Sequence, residues 1–368
     1  MARAFAKRIR PALEKLVSRT LPGATLIDAA PFGVDEAEGE DETAKGVGYG
    51  APLRLSVRDR EGRQQVLVFH TAKPDQFGHD RRADRAAEML LGYDRFGSIP
   101  KHVQALDVGA ITQDGSDLIS LAAAGELYLL TSFAPGHLYA EDLRRIAHEA
   151  RLGESDLAHA ESLARYLVGL HREKYRDERR YVRAIRDLVG SGEGMFGILD
   201  AYGPDVPGAP RERLIAIERR ATEWRWKLKP KSARLSRTHG DFHPFNVVFD
   251  GDEFALLDAS RGCMGDPADD VTCMAINYVF FAVEHASAWT GALGTLWRRF
   301  WDVYLGESGD AELLDVCAPF LAWRGLVVAN PVWYPGISEG ARDRVLCLIE
   351  RTLDAERFDP GFAEALLS

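Results

Sequence analysis

Two oxygen-bearing side chains, Asn246 and Asp258, flank the segment VVFDGDEFALL. The polar run 250–253 predicts a turn, so the apolar stretches 247–249 and 254–257 are expected to pair as antiparallel strands. We expect Asp258 to lie opposite Asn246 across this hairpin, and opposed residues are about 4.5–5.5 Å apart. Amide and carboxylate oxygens, completed by substrate phosphates, are ligands that Mg²⁺ prefers. The pair therefore predicts a Mg²⁺ site at the open end of the hairpin.

Asp241 lies five residues before Asn246, in the loop that leads into the same end of the hairpin. The order of residue types is the layout of kinase active-site loops. Such a loop has a histidine, an aspartate two residues later, an asparagine five residues after that and then a second aspartate. In that chemistry Asp241 accepts or orients the proton of a substrate hydroxyl, while Asn246 and Asp258 hold the metal against phosphates. We expect His239 to brace the loop by hydrogen bonding.

The motif continues as GDPADD at 265–270. Asp and Pro before an apolar run are typical of a helix N-terminus, so a helix is predicted from about residue 271. Asp266 and Asp270 are therefore interpreted as structural.

The elements around the motif predict an α+β fold with two lobes. Periodicity favours short strands at 24–31, 52–58, 65–71, near 104–112 and at 126–133, with a helix at 80–93. From about 140 helical patterns dominate, interrupted by the hairpin. Residues 1–20 are expected to form a docking helix with Phe5, Ile9, Leu13 and Leu16 on one face. The predicted domains are this helix, a nucleotide-binding lobe at 21–133 with an antiparallel sheet, and a larger helical lobe at 134–368.

The strings HGDFHPFNVVF, LLDASRG and GDPADD resemble the aminoglycoside phosphotransferase and choline kinase superfamily. The resemblance implies a two-lobed protein-kinase-like fold, ATP as co-substrate, Mg²⁺ and transfer to a hydroxyl of a small molecule. The segment YLLTSFAPG is similar to the hinge of that superfamily, which implies that Ser132 and Ala134 contact the nucleotide.

The sequence departs from the family pattern at the third strand, where the family carries a lysine for the α- and β-phosphates. His70 fits that position best and Lys73 follows it. The carboxylate partner on the next helix is either Asp84 or Glu88. The run Gly46–Gly50 either covers the phosphates through its backbone or forms a flexible loop.

Arg261 is the other departure, and its role is left open between three possibilities. It contacts phosphate, it contacts the acceptor, or it only pairs with Asp266 or Asp269.

Composition limits the possible partners. The chain has 368 residues and a formal net charge of −10, and an acidic protein lacks the clustered basic residues that a nucleic acid requires. No apolar run is long enough to span a bilayer. Four cysteines without a Cys-x-x-Cys pair suggest buried, reduced thiols in the cytoplasm. A monomer and a homodimer are equally compatible with the sequence.

Two alternatives compete with a small-molecule kinase. A pseudokinase would keep the fold and bind nucleotide without turnover, which the missing third-strand lysine favours. A metal-dependent phosphoesterase is suggested by the Gly-Asp-x-His string, but the further ligands of a two-metal site are not found.

The acceptor is not identified, and aminoglycosides, sugars and amino alcohols all remain possible. Asp269, Asp270 and Glu284 either attract a cationic amine or are helix ends. Several aromatic residues are predicted to be core: Tyr278, Trp297, Trp301, Trp323, Trp333 and Tyr334.

Overall fold

A computed structural model describes residues 2–31, 52–259, 261 and 263–367. The chain divides into two units, residues 1–131 and 132–368. The predicted α+β class is confirmed, with antiparallel sheets in the first unit and mostly helices in the second. The glycine-rich run Gly46–Gly50 lies outside the described residues.

The first unit contains a three-stranded antiparallel sheet in the order β1-β2-β3 and a separate hairpin, β4-β5. Its elements are α1 (Ala2–Thr20), β1 (Thr25–Pro31), β2 (Leu53–Arg58), β3 (Gln64–Phe69), α2 (Arg82–Arg95), β4 (Gly109–Ile111) and β5 (Leu118–Ser120).

Helix α1 packs on the sheet of the first unit through the predicted apolar face. Ile9 and Leu13 are fully buried, and Phe5 and Leu16 pack half-buried against the same core. Pro11 lies inside the helix on its exposed side. Because strand side chains alternate between faces, β2 turns only every second residue toward α1, and those residues are apolar.

Of two further strand predictions, one is too long and the other is wrong. The strand expected near 104–112 is limited to β4, and its partner β5 was not predicted. The strand expected at 126–133 does not form: the segment is not part of a sheet, and Tyr128, Leu130 and Phe133 are about nine-tenths exposed. Apolar and β-branched composition favours a strand only where a neighbouring strand completes the ladder.

The second unit is a helical body with two small sheets. Its strands are β6 (His137–Leu138), β7 (Ser236–Arg237), β8 (Val247–Asp250), β9 (Glu253–Leu256) and β10 (Met264–Gly265). Its helices are α3 (Tyr139–Glu149), α4 (Asp156–His171), α5 (Glu178–Gly190), α6 (Met195–Asp200), α7 (Arg211–Leu228), α8 (Pro267–Ala282), α9 (Ala286–Ala288), α10 (Gly294–Ser308), α11 (Leu313–Val316), α12 (Ala318–Ala329), α13 (Glu339–Asp354) and α14 (Gly361–Leu367).

Helix α8 is the centre of the second unit. Nearly all its side chains are buried, and α3, α4, α10 and α12 pack around it. A helix that is apolar on every side is stable only inside a core. Helices α4, α7 and α10 each turn an apolar face to this core, since Leu163 and Leu167, Ile217 and Trp297 are all buried.

No helix in the described part of the chain combines the length and the hydropathy that a membrane crossing requires.

The contact between α1 and the sheet should contribute measurably to stability. We expect Leu13→Ala to lower the free energy of unfolding by about 2–5 kcal/mol, because it removes fully buried methyl groups and leaves a cavity. Equilibrium urea denaturation measures this change, with the exposed Lys7→Ala in the same helix as the control. A loss below about 1 kcal/mol for Leu13→Ala would mean that α1 is not part of this core.

Candidate active site

The β8-β9 hairpin forms as predicted, but its register differs by one residue. Asp250 pairs with Glu253 across a two-residue turn, so Asn246 lies opposite Leu257 and accepts a 2.9 Å hydrogen bond from its backbone N–H. The predicted opposition of Asn246 and Asp258 is therefore wrong, because it would require a three-residue turn.

Asp258 directly follows the residue that opposes Asn246. In a regular strand, a shift of one residue would turn the Asp258 side chain to the other face of the ribbon. The chain, however, leaves strand geometry here: Asp258 lies beyond β9 and has a φ of +50°. Non-glycine residues rarely adopt this conformation. Its carboxylate is exposed at the same end of the hairpin as Asn246.

Residues 239–246, here called the aspartate loop, connect β7 to β8 through a tight turn. The His243 N–H donates to the Asp241 carbonyl at 3.0 Å, and the Asn246 N–H donates to the His243 carbonyl at 2.9 Å. The Asn246 side-chain amide donates to the Asp241 carbonyl at 3.0 Å. The amide nitrogen of Asn246 is thus anchored, and no contact among the described residues uses its oxygen.

Asp270 anchors the start of the aspartate loop. Its fully buried carboxylate accepts the backbone N–H groups of His239 and Gly240 at 2.7 and 2.8 Å and contacts His171 Nε2 at 3.1 Å. Burial alone would raise the pKa of Asp270, but these donors outweigh it and hold the pKa below its usual range. The predicted structural role is confirmed, although Asp270 secures the loop and not the helix start.

The helix start is capped by Asp266, as predicted. Its carboxylate accepts the Ala268 N–H at 3.0 Å and pairs with the buried guanidinium of Arg234 at 2.9 Å. The bracing contact expected for His239 is also present, because His239 Nδ1 accepts the Asp241 N–H at 3.3 Å.

Arg324 is the residue of the site that the sequence interpretation missed. From α12 its guanidinium donates to Asp241 Oδ1 at 2.7 Å, to the Gly240 carbonyl at 2.7 Å and to Asp269 Oδ1 at 2.6 Å. Its side chain is 5% exposed. The available signal was a lone arginine in the apolar helix APFLAWRGLVVA, since arginine is rarely buried without a partner.

The carboxylate of Asp241 is consequently stabilised as an anion. Burial alone would raise the pKa of Asp241, but the contact with His243 and the charges of Arg324 and Arg261 hold it well below its usual range. His243 Nε2 lies 3.5 Å from Asp241 Oδ2. The carboxylate is therefore ionised and fixed in orientation at any physiological pH.

Arg261 lies beside this carboxylate. Its guanidinium is 3.7 Å from Asp241 Oδ1 and 3.5 Å from Glu193 Oε2, and it stacks on the Trp323 ring at 4.9 Å. The pairing with Asp266 or Asp269 that the sequence left open does not occur, because these carboxylates bind Arg234 and Arg324. A role toward phosphate or acceptor remains.

The four predicted nucleotide-binding residues are divided between the two units. His70 and Lys73 belong to the first unit, and both are exposed beyond the end of β3. The prediction that His70 is a strand residue is therefore wrong. Ser132 and Ala134 belong to the second unit, before β6.

The two carboxylates proposed as partners of the third-strand residue lie on α2. Asp84 accepts the Arg81 N–H at the helix start, and Glu88 lies 3.7 Å from His79 Nε2.

The donor set at the end of the hairpin fits Mg²⁺. No three His, Cys, Asp or Glu side chains converge as a metal site anywhere in the described ranges. A Mg²⁺ ion bound together with a nucleotide needs fewer protein ligands, because phosphates supply the rest. The free oxygen of Asn246 and the exposed carboxylate of Asp258 are ligands of the required kind.

The aromatic residues of the helical unit divide into two groups. Tyr278, Trp297, Trp301 and Trp323 are buried, as predicted. Trp333 is 62% exposed, so the core prediction is wrong for it, whereas Tyr334 is half-buried and packs against the edge of the core. Both lie in the loop between α12 and α13, where no helical face exists to bury them. Among the cysteines, Cys263 is exposed, contrary to expectation.

Solved structures to which the chain is similar include three whose titles name a kinase. A glucosamine kinase is 16% identical over 94% of this chain and 97% of its own, with a TM-score of 0.45. An amicoumacin kinase is 15% identical over 98% and 99%, with a TM-score of 0.39. An ethanolamine kinase from Plasmodium vivax is 14% identical over 87% and 78%, with a TM-score of 0.34. Such low values give no information on the substrate.

No curated protein sequence matches the chain. A family model described as the phosphotransferase enzyme family matches residues 99–301. This range is more than half of the 368 residues and contains the aspartate loop, the hairpin and α8. The chain therefore belongs to the phosphotransferase enzyme family.

Proposed function

We propose that the protein transfers the γ-phosphate of ATP to a hydroxyl group of a small molecule. One observation carries this proposal: the aspartate loop presents an ionised, oriented carboxylate, Asp241, beside an amide, Asn246, whose nitrogen is anchored and whose oxygen is free. Phosphoryl transfer depends on positioned groups and compensated charge more than on covalent catalysis. A rigid loop of this kind supplies the positioning.

The reaction forms a bond between the acceptor oxygen and the γ-phosphorus and breaks the bond between that phosphorus and the leaving oxygen of ADP. The hydroxyl proton passes to Asp241 and then to water. Because the pKa of Asp241 is held low, the carboxylate is a weak base. We infer that it mainly orients the hydroxyl and takes the proton late, as a loose transition state permits.

Arg261 is proposed to contact the transferred phosphoryl group. Its guanidinium lies next to the carboxylate that orients the acceptor, so it is close to the point where negative charge moves during transfer. A guanidinium can donate two parallel hydrogen bonds to a phosphate. In this position Arg261 would stabilise the equatorial oxygens in the transition state.

Asn246 and Asp258 are the proposed ligands of Mg²⁺, which when bound neutralises phosphate charge. The contribution of the protein is to orient the two oxygens. The bond from the Asn246 amide to the Asp241 carbonyl couples the position of the ligand to that of the base. His70, Lys73, Ser132 and Ala134 are proposed to bind the nucleotide.

The alternative function, a pseudokinase that binds nucleotide without turnover, has less support. It rests on the missing third-strand lysine. Burying Arg324, Asp241 and Asp269 together has a large desolvation cost. A protein without turnover would have no need to keep an ionised carboxylate fixed at this cost.

The role of Asp241 is tested by Asp241→Asn. We expect acceptor-dependent ADP formation to fall roughly 100- to 10,000-fold, because the amide cannot accept the hydroxyl proton, while the Kd for Mg-ATP changes little. A panel of hydroxyl compounds in a coupled ADP assay measures turnover. Asp250→Asn, an exposed carboxylate in the hairpin, is the control. Turnover close to that of the unmodified protein would show that the base is misassigned.

The shared metal is tested by a double-mutant cycle of Asn246→Ala and Asp258→Asn. We expect each change to weaken Mg²⁺-dependent ATP binding and the pair to be non-additive by about 0.5–3 kcal/mol, because both ligands hold one ion. Calorimetric titration with and without Mg²⁺ gives the energies, and Asp252→Asn is the control. Additive losses would contradict a common ion.

The nucleotide contact of the first unit is tested by the double change His70→Ala with Lys73→Ala. We expect the KM for ATP to rise about tenfold or more, as for the loss of a charge-assisted hydrogen bond to phosphate. Steady-state kinetics at varied ATP measure it, with Lys7→Ala as the control. An unchanged KM would remove both residues from the site.

A further inference from the structure

The acidic residues that could have attracted a cationic acceptor already bond to other groups of the protein. Asp269 binds Arg324 at 2.6 Å, and Asp270 accepts two backbone N–H groups and contacts His171. Glu284 accepts the N–H and the hydroxyl of Ser338 at 2.6 and 2.8 Å. The carboxylates of Asp269 and Asp270 are therefore occupied, and that of Glu284 is bonded to Ser338 at the surface.

A free cationic group lies on the other side of the aspartate loop. Arg144, on the exposed side of α3, places its guanidinium 5.2 Å from the ring centroid of Phe245. No carboxylate of the described residues lies within 4.0 Å of it. Phe245 directly precedes Asn246, so this charge is beside the residues proposed to handle phosphate.

An aromatic wall continues from Phe245 to the loop between α12 and α13. Phe245 is 6.3 Å from Phe281, Phe281 is 5.2 Å from Phe280, and Phe280 is 4.5 Å from Tyr334, measured between ring centroids. All four rings are half-buried. The wall therefore presents partly exposed aromatic rings, tilted against one another, next to the loop.

Tyr334 lies within electrostatic reach of both the base and the free arginine. Burial raises the pKa of its hydroxyl to about 12, with Asp241 acting in the same direction and Arg144 against it. Its hydroxyl makes no hydrogen bond to any described residue. Tyr334 therefore offers an unused donor where its ring contacts Phe280.

We propose, on the basis of the proposed function, that the acceptor is a hydroxyl compound carrying an anionic group, either a carboxylate or a phosphate, which Arg144 binds over Phe245. The carbon skeleton lies along the aromatic wall, Tyr334 donates to the acceptor, and the reacting hydroxyl points to Asp241. A polycationic acceptor would bring its charges toward Arg144 and Arg261, and like charges in an interface are strongly unfavourable.

The charge preference is tested with a library of hydroxyl compounds sorted into anionic, neutral and cationic sets, including glucose, glucosamine and gluconate as a matched trio. We expect the highest kcat/KM in the anionic set. A comparison of carboxylates with phosphates within this set identifies which anionic group is bound. The highest value among neutral or cationic compounds, or no turnover in the anionic set, overturns the proposal. ATP hydrolysis without acceptor tests the proposed function separately.

The role of Arg144 is tested by variants with the best anionic acceptor. Arg144→Gln should raise the KM for the acceptor roughly tenfold or more, with a smaller effect on kcat, because a charge-assisted hydrogen bond is lost. Arg144→Lys should restore part of the affinity, and Tyr334→Phe should raise the KM less. Arg172→Gln, an exposed arginine at the end of α4, should change nothing. An unchanged KM in Arg144→Gln would show that α3 does not bind the anionic group of the acceptor.

Discussion

The ion cluster of Arg324 with Asp241 and Asp269 is the interaction on which the candidate site depends. Three charges are taken out of water together, and such a cluster is stable only while every partner is present. The guanidinium also binds the Gly240 carbonyl, so α12, α8 and the aspartate loop are joined at one point. Asp270 holds the same loop from the opposite side through two N–H groups. The orientation of Asp241 is therefore set by the body of the helical unit and not by the loop itself.

This arrangement makes Asp241 rigid but weakly basic. An efficient general base has a pKa near the working pH, whereas Arg324, Arg261 and His243 act together to keep this carboxylate ionised far below it. The conflict is resolved if little proton transfer is needed when the phosphoryl group moves. A loose transition state leaves the acceptor oxygen nearly neutral until late, so orientation is the more valuable property. A loop built for orientation is thus consistent with phosphoryl transfer.

The sequence predicts the features that depend on neighbouring residues and misses the contacts between residues far apart in the chain. The hairpin, the cap at Asp266 and the apolar face of α1 follow from short-range patterns, and all were found. The predicted register was wrong because a difference of one residue in the length of the turn decides it. The residues 250–253 are compatible with either length. Arg324 was missed because its partners are more than 50 residues away. The segment 126–133 was misjudged because strand formation requires a partner that composition does not reveal.

The same distinction explains why counting charges misleads about the acceptor. Helix α8 is capped by Asp266 and begins with Asp269 and Asp270, and the last two were candidates for attracting an amine. Each is neutralised from a different direction, by Arg234, by Arg324, and by His171 with the loop N–H groups. A ligand meets the charges that are left without a partner, and Arg144 has no carboxylate partner among the described residues. Family membership does not determine the acceptor, and the proposed sign of its charge rests on which charges of this chain are paired.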